Sequence, residues 1–306
     1  MINNIAVIGA GAVGSFFLTG LSGKDNTHIW AVASSERGRR LKQDGICING
    51  TRLIPEVRTP EGSKGADLVI ICVKYGALQG VLDDLQVIAD DHTIFLCPMN
   101  GVDSEEIIAG RLGKGHILHS MMVIAAERTG NAVRYNDGVI PCIHYGLADG
   151  FGSKEDLEEV TELFRRTGLT CKYKEEIITA IWNKFALNIS TNIAQAIIGT
   201  NYGSYKTSPH MNALGQKLCD EVLAVAEAAG ITCTFDNQRA LKTLGTNNAA
   251  RFSTLQDLLA GRHTEVDMFC GAVVRLGREY QVPTPFNEFA WHAIKALEEK
   301  NDGLIF

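Results

Sequence analysis

Near the amino terminus, Ile5-Ala6-Val7-Ile8 runs directly into Gly9-Ala10-Gly11-Ala12-Val13-Gly14, and Ser15-Phe16-Phe17-Leu18 then takes up an apolar helical pattern. The four apolar residues suit a strand buried on both faces of a parallel sheet. Gly9 lets that strand turn sharply, Gly11 lets a pyrophosphate approach the backbone, and Gly14 lets the new helix pack close to the strand. The N–H groups and partial positive charge of the helix N-terminus complete an anion site. In this strand–turn–helix setting the motif predicts dinucleotide binding, with Gly9, Ala10, Gly11, Ala12, Val13 and Gly14 as the cradle. A purely structural glycine turn is the other reading of the same residues.

The second strand, expected over 28–32, matters for its end, where an acidic residue would hold the ribose 2′-hydroxyl of NAD. Ala33-Ser34-Ser35-Glu36-Arg37 stands there instead, with Arg39 and Arg40 close behind. Hydroxyls and guanidinium groups accept a 2′-phosphate. Ser34 and Arg37 are therefore candidate cofactor contacts, and NADPH is favoured with NADH left open. Glu36 pulls the other way, and an ordinary solvated helix start has the same composition. Apolar strands expected over 66–74 and 93–97 lead to Lys74 and Asn100, on the rim where ligands bind in parallel sheets. Strand-like runs continue near 117–119 and 140–145. His119 and His144, within them, have no partner pattern that would make a metal site.

From about residue 156 the texture becomes helical, with segments expected over 156–167, 177–198, 218–229, 265–280 and 289–299. A chain of 306 residues suits two domains. The fold class expected is α/β: an N-terminal Rossmann-type doubly wound domain over 1–170, then an all-helical domain over 171–306. Within 177–198, Lys184, Asn188 and Asn192 follow i, i+4, i+8 and line one side of a helix, beside an apolar stripe of Ile181, Phe185, Ile189 and Ile193. Polar residues in register need partners if they face inward; a wet face has the same pattern. Glu265 is expected in a first helical turn, where a carboxylate suits the dipole.

The net charge of −6 gives no reason to expect nucleic acid or an anionic membrane as partner. No apolar run approaches the roughly 20 residues that span a bilayer. The eight cysteines contain no Cys-x-x-Cys pair, so neither a zinc site nor a disulfide framework is expected. Reduced thiols and an amino terminus lacking a basic n-region predict a cytoplasmic protein. Apolar residues on the carboxyl-terminal helices are compatible with a homodimer.

Taken together, the motifs resemble those of the ketopantoate reductases (2-dehydropantoate 2-reductases) over nearly the whole length. The features that match are Gly9-x-Gly11-x-x-Gly14, Val73-Lys74 after an apolar strand, Asn100-Gly101 and Trp182-x-Lys184 with Asn188 and Asn192. Ser253-x-x-x-Asp257 and His263-Thr264-Glu265-Val266-Asp267 complete the set. The resemblance implies NADPH-dependent reduction of 2-dehydropantoate to pantoate, a coenzyme A precursor, with the substrate between a Rossmann and a helical domain. It further implies that Lys184 is the general acid, that Asn188 and Asn192 contact substrate hydroxyls, and that Ser253 holds the carboxylate. Glu265 would engage the substrate and help place Lys184, while Lys74 and Asn100 would serve the cofactor and substrate on the rim. Desolvation lowers a lysine pKa and a neighbouring carboxylate raises it, so closure around Lys184 and the charge of Glu265 act on the Lys184 pKa in opposite directions, and the net direction is left open by the sequence.

Two features depart from the family pattern. Ser34 stands where the family often has an arginine, which bears on NADPH against NADH. Met121, Met122, Glu127 and Arg128 replace small residues within 119–145, which bears on the 2-keto acid accepted. NAD-dependent D-2-hydroxyacid dehydrogenases acting on branched or aromatic 2-keto acids are the nearest alternative. A non-catalytic redox-sensing dinucleotide binder is a further one, but it need not keep Lys184, Ser253 and Glu265 together.

Overall fold

In the computed structural model, which describes residues 1–136, 138–243 and 248–306, the opening apolar run forms β1 (Asn4–Ile8), and both its faces are covered. Ile5 and Val7 pack into one apolar cluster with Phe17, Leu18 and Phe164. Ala6 and Ile8 pack into a second with Leu85, Ile88 and Ile108. Two-sided burial is why this strand reads as an unbroken apolar run and not as an alternation.

Further strands among the described residues are β2 (His28–Val32), β3 (Ile46–Ile48), β4 (Thr51–Leu53), β5 (Glu56–Arg58), β6 (Leu68–Ile71) and β7 (Ile94–Leu96). They continue with β8 (Ile117–Val123), β9 (Ala126–Thr129), β10 (Ala132–Tyr135), β11 (Cys142–Gly146) and β12 (Cys171–Tyr173). The main sheet runs β12-β11-β8-β7-β6-β1-β2-β5. Its neighbours from β5 through β8 pair in parallel, β11 is antiparallel to β8, and β12 is parallel to β11. The strand order reverses at β1, between β2 and β6, which is the switch point where doubly wound sheets open a crevice for ligands. A smaller sheet, β4-β3-β10-β9, joins two hairpins. Much of it falls in the atypical segment 119–145, of which Asp137 lies outside the described residues.

The helices of this first unit are α1 (Ala12–Gly20), α2 (Ser35–Asp44), α3 (Leu82–Ile88), α4 (Ser104–Leu112) and α5 (Lys154–Thr167). Buried residues of α1 and α5 belong to one apolar cluster, and those of α3 and α4 to the other. Ser153 and Asp156 form a reciprocal capping box that starts α5.

The chain divides into two compact units, Met1–Ile177 and Ile178–Phe306. The division expected at 170/171 precedes β12, whose pairing with β11 keeps residues 171–173 in the first unit's sheet. The second unit contains helices and no strand among its described residues. It runs from α6 (Ile177–Asn188) through a π-helical turn (Ile189–Ile193) into α7 (Ala194–Ile198), then α8 (Ser204–Thr207), α9 (Pro209–Ala228) and α10 (Asn237–Thr243). It ends with α11 (Ser253–Leu259), α12 (Cys270–Glu279) and α13 (Pro285–Asn301). Phe185, Ile189, Ile193, Val222, Phe269, Val273 and Ile294 are among its buried core residues.

Three helices differ from the sequence expectation. The helix expected over 265–280 begins at Cys270, and Glu265 sits in the turn before it, where its carbonyl accepts from Met268 and Phe269 N–H. α9 starts well before residue 218, because Ser208 caps it (Met211 N–H to Oγ, 3.3 Å) and Pro209 sits at its first position. α13 likewise starts earlier, at Pro285. Among the described residues no helix is long and apolar enough to cross a membrane, and no cluster of residues could hold a metal ion.

Candidate active site

At the switch point the glycine turn is enforced by contact. Gly9 has φ +98°, and a Cβ on it would lie 2.5 Å from the Cys72 carbonyl carbon at the end of β6. A Cβ on Gly14 would lie 2.0 Å from the Gly9 oxygen. Larger residues at either position would push strand, turn and helix apart. Gly11 is the N-cap of α1, whose first turn carries no acidic side chain, so its amides face an anion site unopposed. Ala10, Gly11, Ala12 and Val13 are all partly exposed around this turn. Lys74, exposed, follows β6, and Asn100, half-buried, follows β7.

Beyond the end of β2 lies a cavity of about 460 Å³ lined by Ser34, Ser35, Arg39, Lys42, Arg58 and Thr59, among others. Arg58 comes from β5, where its guanidinium stacks 3.7 Å from the Trp30 ring centroid and bonds Glu56 at 2.6 Å. Three cationic side chains and three hydroxyls around one recess suit a phosphate monoester. Arg37 is exposed on α2 but does not line this cavity. Arg39, Lys42 and Arg58 do.

In the second unit, Lys184 lies in the last turns of α6 and is half-buried. Trp182 meets Phe185 edge to face at 5.9 Å, and Phe185 stacks on Phe269 at 6.2 Å. The Phe269 N–H donates to the Glu265 carbonyl at 3.1 Å, so this aromatic stack ties the turn carrying Glu265 to the helix carrying Lys184. Burial pushes the Lys184 pKa down to about 8, and the Glu265 carboxylate opposes that shift without cancelling it.

Asn188 is half-buried and Asn192 buried, on either side of the start of the π turn. The Ser190 and Thr191 hydroxyls donate to the Leu187 carbonyl at 3.0 and 2.7 Å, and the Tyr205 hydroxyl reaches the Thr191 carbonyl at 2.6 Å. These contacts satisfy backbone groups that the wider turn leaves unpaired. An α-helix over-rotates by roughly 40° in each four-residue step. The wider turn between Asn188 and Asn192 offsets part of that drift and keeps Asn192 closer to the line of Lys184.

Ser253, exposed, opens α11. It is placed by a residue that the sequence reading passed over. Buried Gln195 accepts the Phe252 N–H (2.7 Å) and donates to the Ala250 carbonyl (3.2 Å), fastening the approach to α11 onto α7. Its only signal in the sequence was a polar residue in an apolar stretch. Asp257, buried four residues after Ser253, accepts from Arg262 Nε at 2.8 Å.

Residues 5–146 match the family described as Ketopantoate reductase PanE/ApbA, and residues 176–298 match its C-terminal counterpart. The chain belongs to the ketopantoate reductase family. It is 27% identical to the 2-dehydropantoate 2-reductase of Aquifex aeolicus, with 97% of this chain and 98% of that protein aligned. It is also 27% identical to the 2-dehydropantoate 2-reductase of Lactococcus lactis, over 96% and 98% of the two chains. Its fold matches D-mandelate dehydrogenase in a ternary structure with NADH and anilino(oxo)acetate, at TM-score 0.84, 23% identity and 97% and 99% coverage. It matches a PanE/ApbA family ketopantoate reductase from Ralstonia eutropha at TM-score 0.82, 23% identity and the same coverage.

Ketopantoate reductase family membership carries with it the α/β-plus-helical architecture described above. Against that architecture, the first unit holds Gly9 through Gly14, Ser34, Arg37, Lys74 and Asn100. The second holds Lys184, Asn188, Asn192, Ser253 and Glu265. Within the second unit, the aromatic stack and Gln195 join three separate segments that carry these residues.

Proposed function

We propose that this chain reduces the keto group of 2-dehydropantoate to pantoate with NADPH, supplying a precursor of coenzyme A. The observation that carries the reading is half-buried Lys184 with its pKa pushed down by burial and the Glu265 carboxylate acting on its charge. Near pH 8 a lysine with this pKa is both sufficiently protonated and sufficiently acidic to give its proton to a developing alkoxide. Bound NADPH supplies the hydride. Lys184 stabilises the negative charge growing on the carbonyl oxygen and then protonates it. Glu265 keeps enough charge on Lys184 for that role, and Asn188 and Asn192 bind the substrate hydroxyls. Ser253, at the N-terminus of α11, holds the carboxylate. Gly9 through Gly14 cradle the cofactor, with Lys74 and Asn100 serving it and the substrate on the rim.

The preference for NADPH is supported by the recess beyond β2. Ser34 replaces the arginine usual in the family, but Arg39, Lys42 and Arg58 surround the same turn with positive charge. Ser34 is retained in this reading as a hydroxyl contact to the 2′-phosphate, and Arg37 gives way to Arg39. A second reading is an NADH-dependent D-2-hydroxyacid dehydrogenase, favoured by the likeness to D-mandelate dehydrogenase and by Ser34. One of the structural relatives is a dimeric ketopantoate reductase from Staphylococcus aureus, which keeps a homodimer among the proposals.

The deciding experiment follows absorbance at 340 nm, with NADPH and NADH each offered ketopantoate, 2-ketoisovalerate and phenylglyoxylate. Preference for NADPH with ketopantoate is the expected result. Preference for NADH with the other acids would establish the second reading, and no oxidation with any acid would leave a non-catalytic dinucleotide binder.

A further inference from the structure

The atypical segment after β8 returns to the glycine turn. Its hairpin, β9–β10, lies beside α1, where the Tyr135 hydroxyl donates to the Ala12 carbonyl at 3.1 Å. That anchor brings Arg128 of β9 over the turn. Arg128 Nη1 lies 3.4 Å from the position a Cβ on Gly11 would occupy, and among the described residues no other non-adjacent atom comes within 4 Å of it. Gly11 is the glycine whose missing side chain opens the backbone to a pyrophosphate. The guanidinium is steadied by its own hairpin, since Arg128 Nε donates to the Gly130 carbonyl at 3.0 Å, and its Nη1 side is turned toward the cradle.

We propose that Arg128 binds the pyrophosphate of the nicotinamide dinucleotide together with the α1 amides. A helix N-terminus offers roughly half a positive charge, and the first turn of α1 adds no charged side chain of its own. A pyrophosphate diester carries two negative charges. A guanidinium at Gly11 supplies most of the missing charge and the forked donors that match phosphate oxygens. This role belongs to the pyrophosphate, which NADPH and NADH share, so it is independent of the 2′-phosphate recess 20 or more residues along the chain from Gly11. It rests on reading the glycine turn as a dinucleotide cradle.

The test measures dissociation constants of NADPH, NADH and adenosine 2′-monophosphate for the full chain and for Arg128→Ala and Arg128→Lys. Arg128 is exposed, so neither substitution empties the core. Arg128→Ala is expected to weaken both dinucleotides by the same factor, roughly 10- to 100-fold. Arg128→Lys should recover part of that loss. Adenosine 2′-monophosphate lacks the pyrophosphate and should bind the variants and the parent alike, which also reports an intact fold. Dinucleotide constants within twofold of the parent would overturn the proposal. So would a defect confined to the KM of the keto acid, which would move Arg128 to the substrate. If the parent chain binds neither dinucleotide, the cradle reading itself fails and takes the proposal with it, a pattern distinct from loss in the variants alone.

Discussion

The Glu298 carboxylate accepts two hydrogen bonds from Thr264, one from its N–H and one from its hydroxyl, each at 2.7 Å. Glu298 lies on α13 and is 3% exposed, and its second oxygen is 3.0 Å from Lys295 Nζ. Thr264 immediately precedes Glu265, so a buried anion on the last helix fixes the turn whose carboxylate acts on Lys184. Glu298→Ala removes the acceptor of the part-buried Thr264 N–H and hydroxyl and is expected to cost about 1–3 kcal/mol of stability. Glu298→Gln keeps an oxygen acceptor for Thr264 and should cost less. Urea unfolding of the two variants checks the order.

Lys184→Ala removes the proposed acid. Its kcat should fall by about 10²–10⁴-fold, the range general acid catalysis contributes, while the NADPH dissociation constant holds. Turnover near that of the parent would remove Lys184 from the mechanism.

The pH profile follows from the direction of the Lys184 shift. With Lys184 as the proposed acid, the protonated lysine is the active form in the direction of reduction, so kcat should fall as pH rises through about 8. Glu265 favours the charged ammonium, and Glu265→Gln should therefore move that falling limb to lower pH. A limb that stays in place, or moves up, would show that the Glu265 charge does not reach Lys184 in the working enzyme.

In the proposed reading, cofactor choice rests on the recess beyond β2. Arg39→Ala or Lys42→Ala should lower affinity for NADPH about tenfold through loss of one charge-assisted contact, and leave NADH binding unchanged. Equal losses for both cofactors would place these residues on a part of the dinucleotide that the two share.

Glu105, in the first turn of α4, is 6% exposed, and burial raises its pKa from 4.5 to about 8. Between those values the folded state binds the proton more tightly than the unfolded state. The contribution to stability is therefore fully present below pH 4.5 and is lost as pH rises to about 8. Glu105→Gln should flatten this slope, measured as unfolding midpoints in denaturant across pH 4–9. An unchanged slope would locate the dependence in other groups.

Much of the candidate site was legible because its signals are local. The apolar strand run, the three glycines and the helical pattern after them fall within fourteen residues, so the strand–turn–helix motif is read from consecutive residues. The i, i+4, i+8 spacing of Lys184, Asn188 and Asn192 likewise marks one side of a helix, although the π turn from Ile189 to Ile193, which the spacing does not show, sets where Asn192 falls. The helical texture of the second half was equally open to periodicity. The 265–280 helix was placed too early, because an acidic residue before an apolar run resembles a helix start. In the fold, Thr264 bonds across 34 residues to Glu298, and Glu265 stays in a turn.

The sequence by itself determined the class of fold and placed the glycine turn, the lysine and the asparagines on their elements, since those signals depend on neighbours along the chain. Tertiary structure decided that Arg39, Lys42 and Arg58, and not Arg37, line the recess beyond β2, because the packing of α2 beside β5 selects which helix face meets the cavity. It decided the π turn, whose carbonyls are satisfied by Tyr205 from α8. Burial, invisible in one dimension, set the direction of the Lys184 shift against its carboxylate neighbour. It also brought Arg128 to Gly11 across more than one hundred residues of chain. Contacts of that separation arise when apolar faces pack and carry their polar neighbours with them, and no local pattern encodes them.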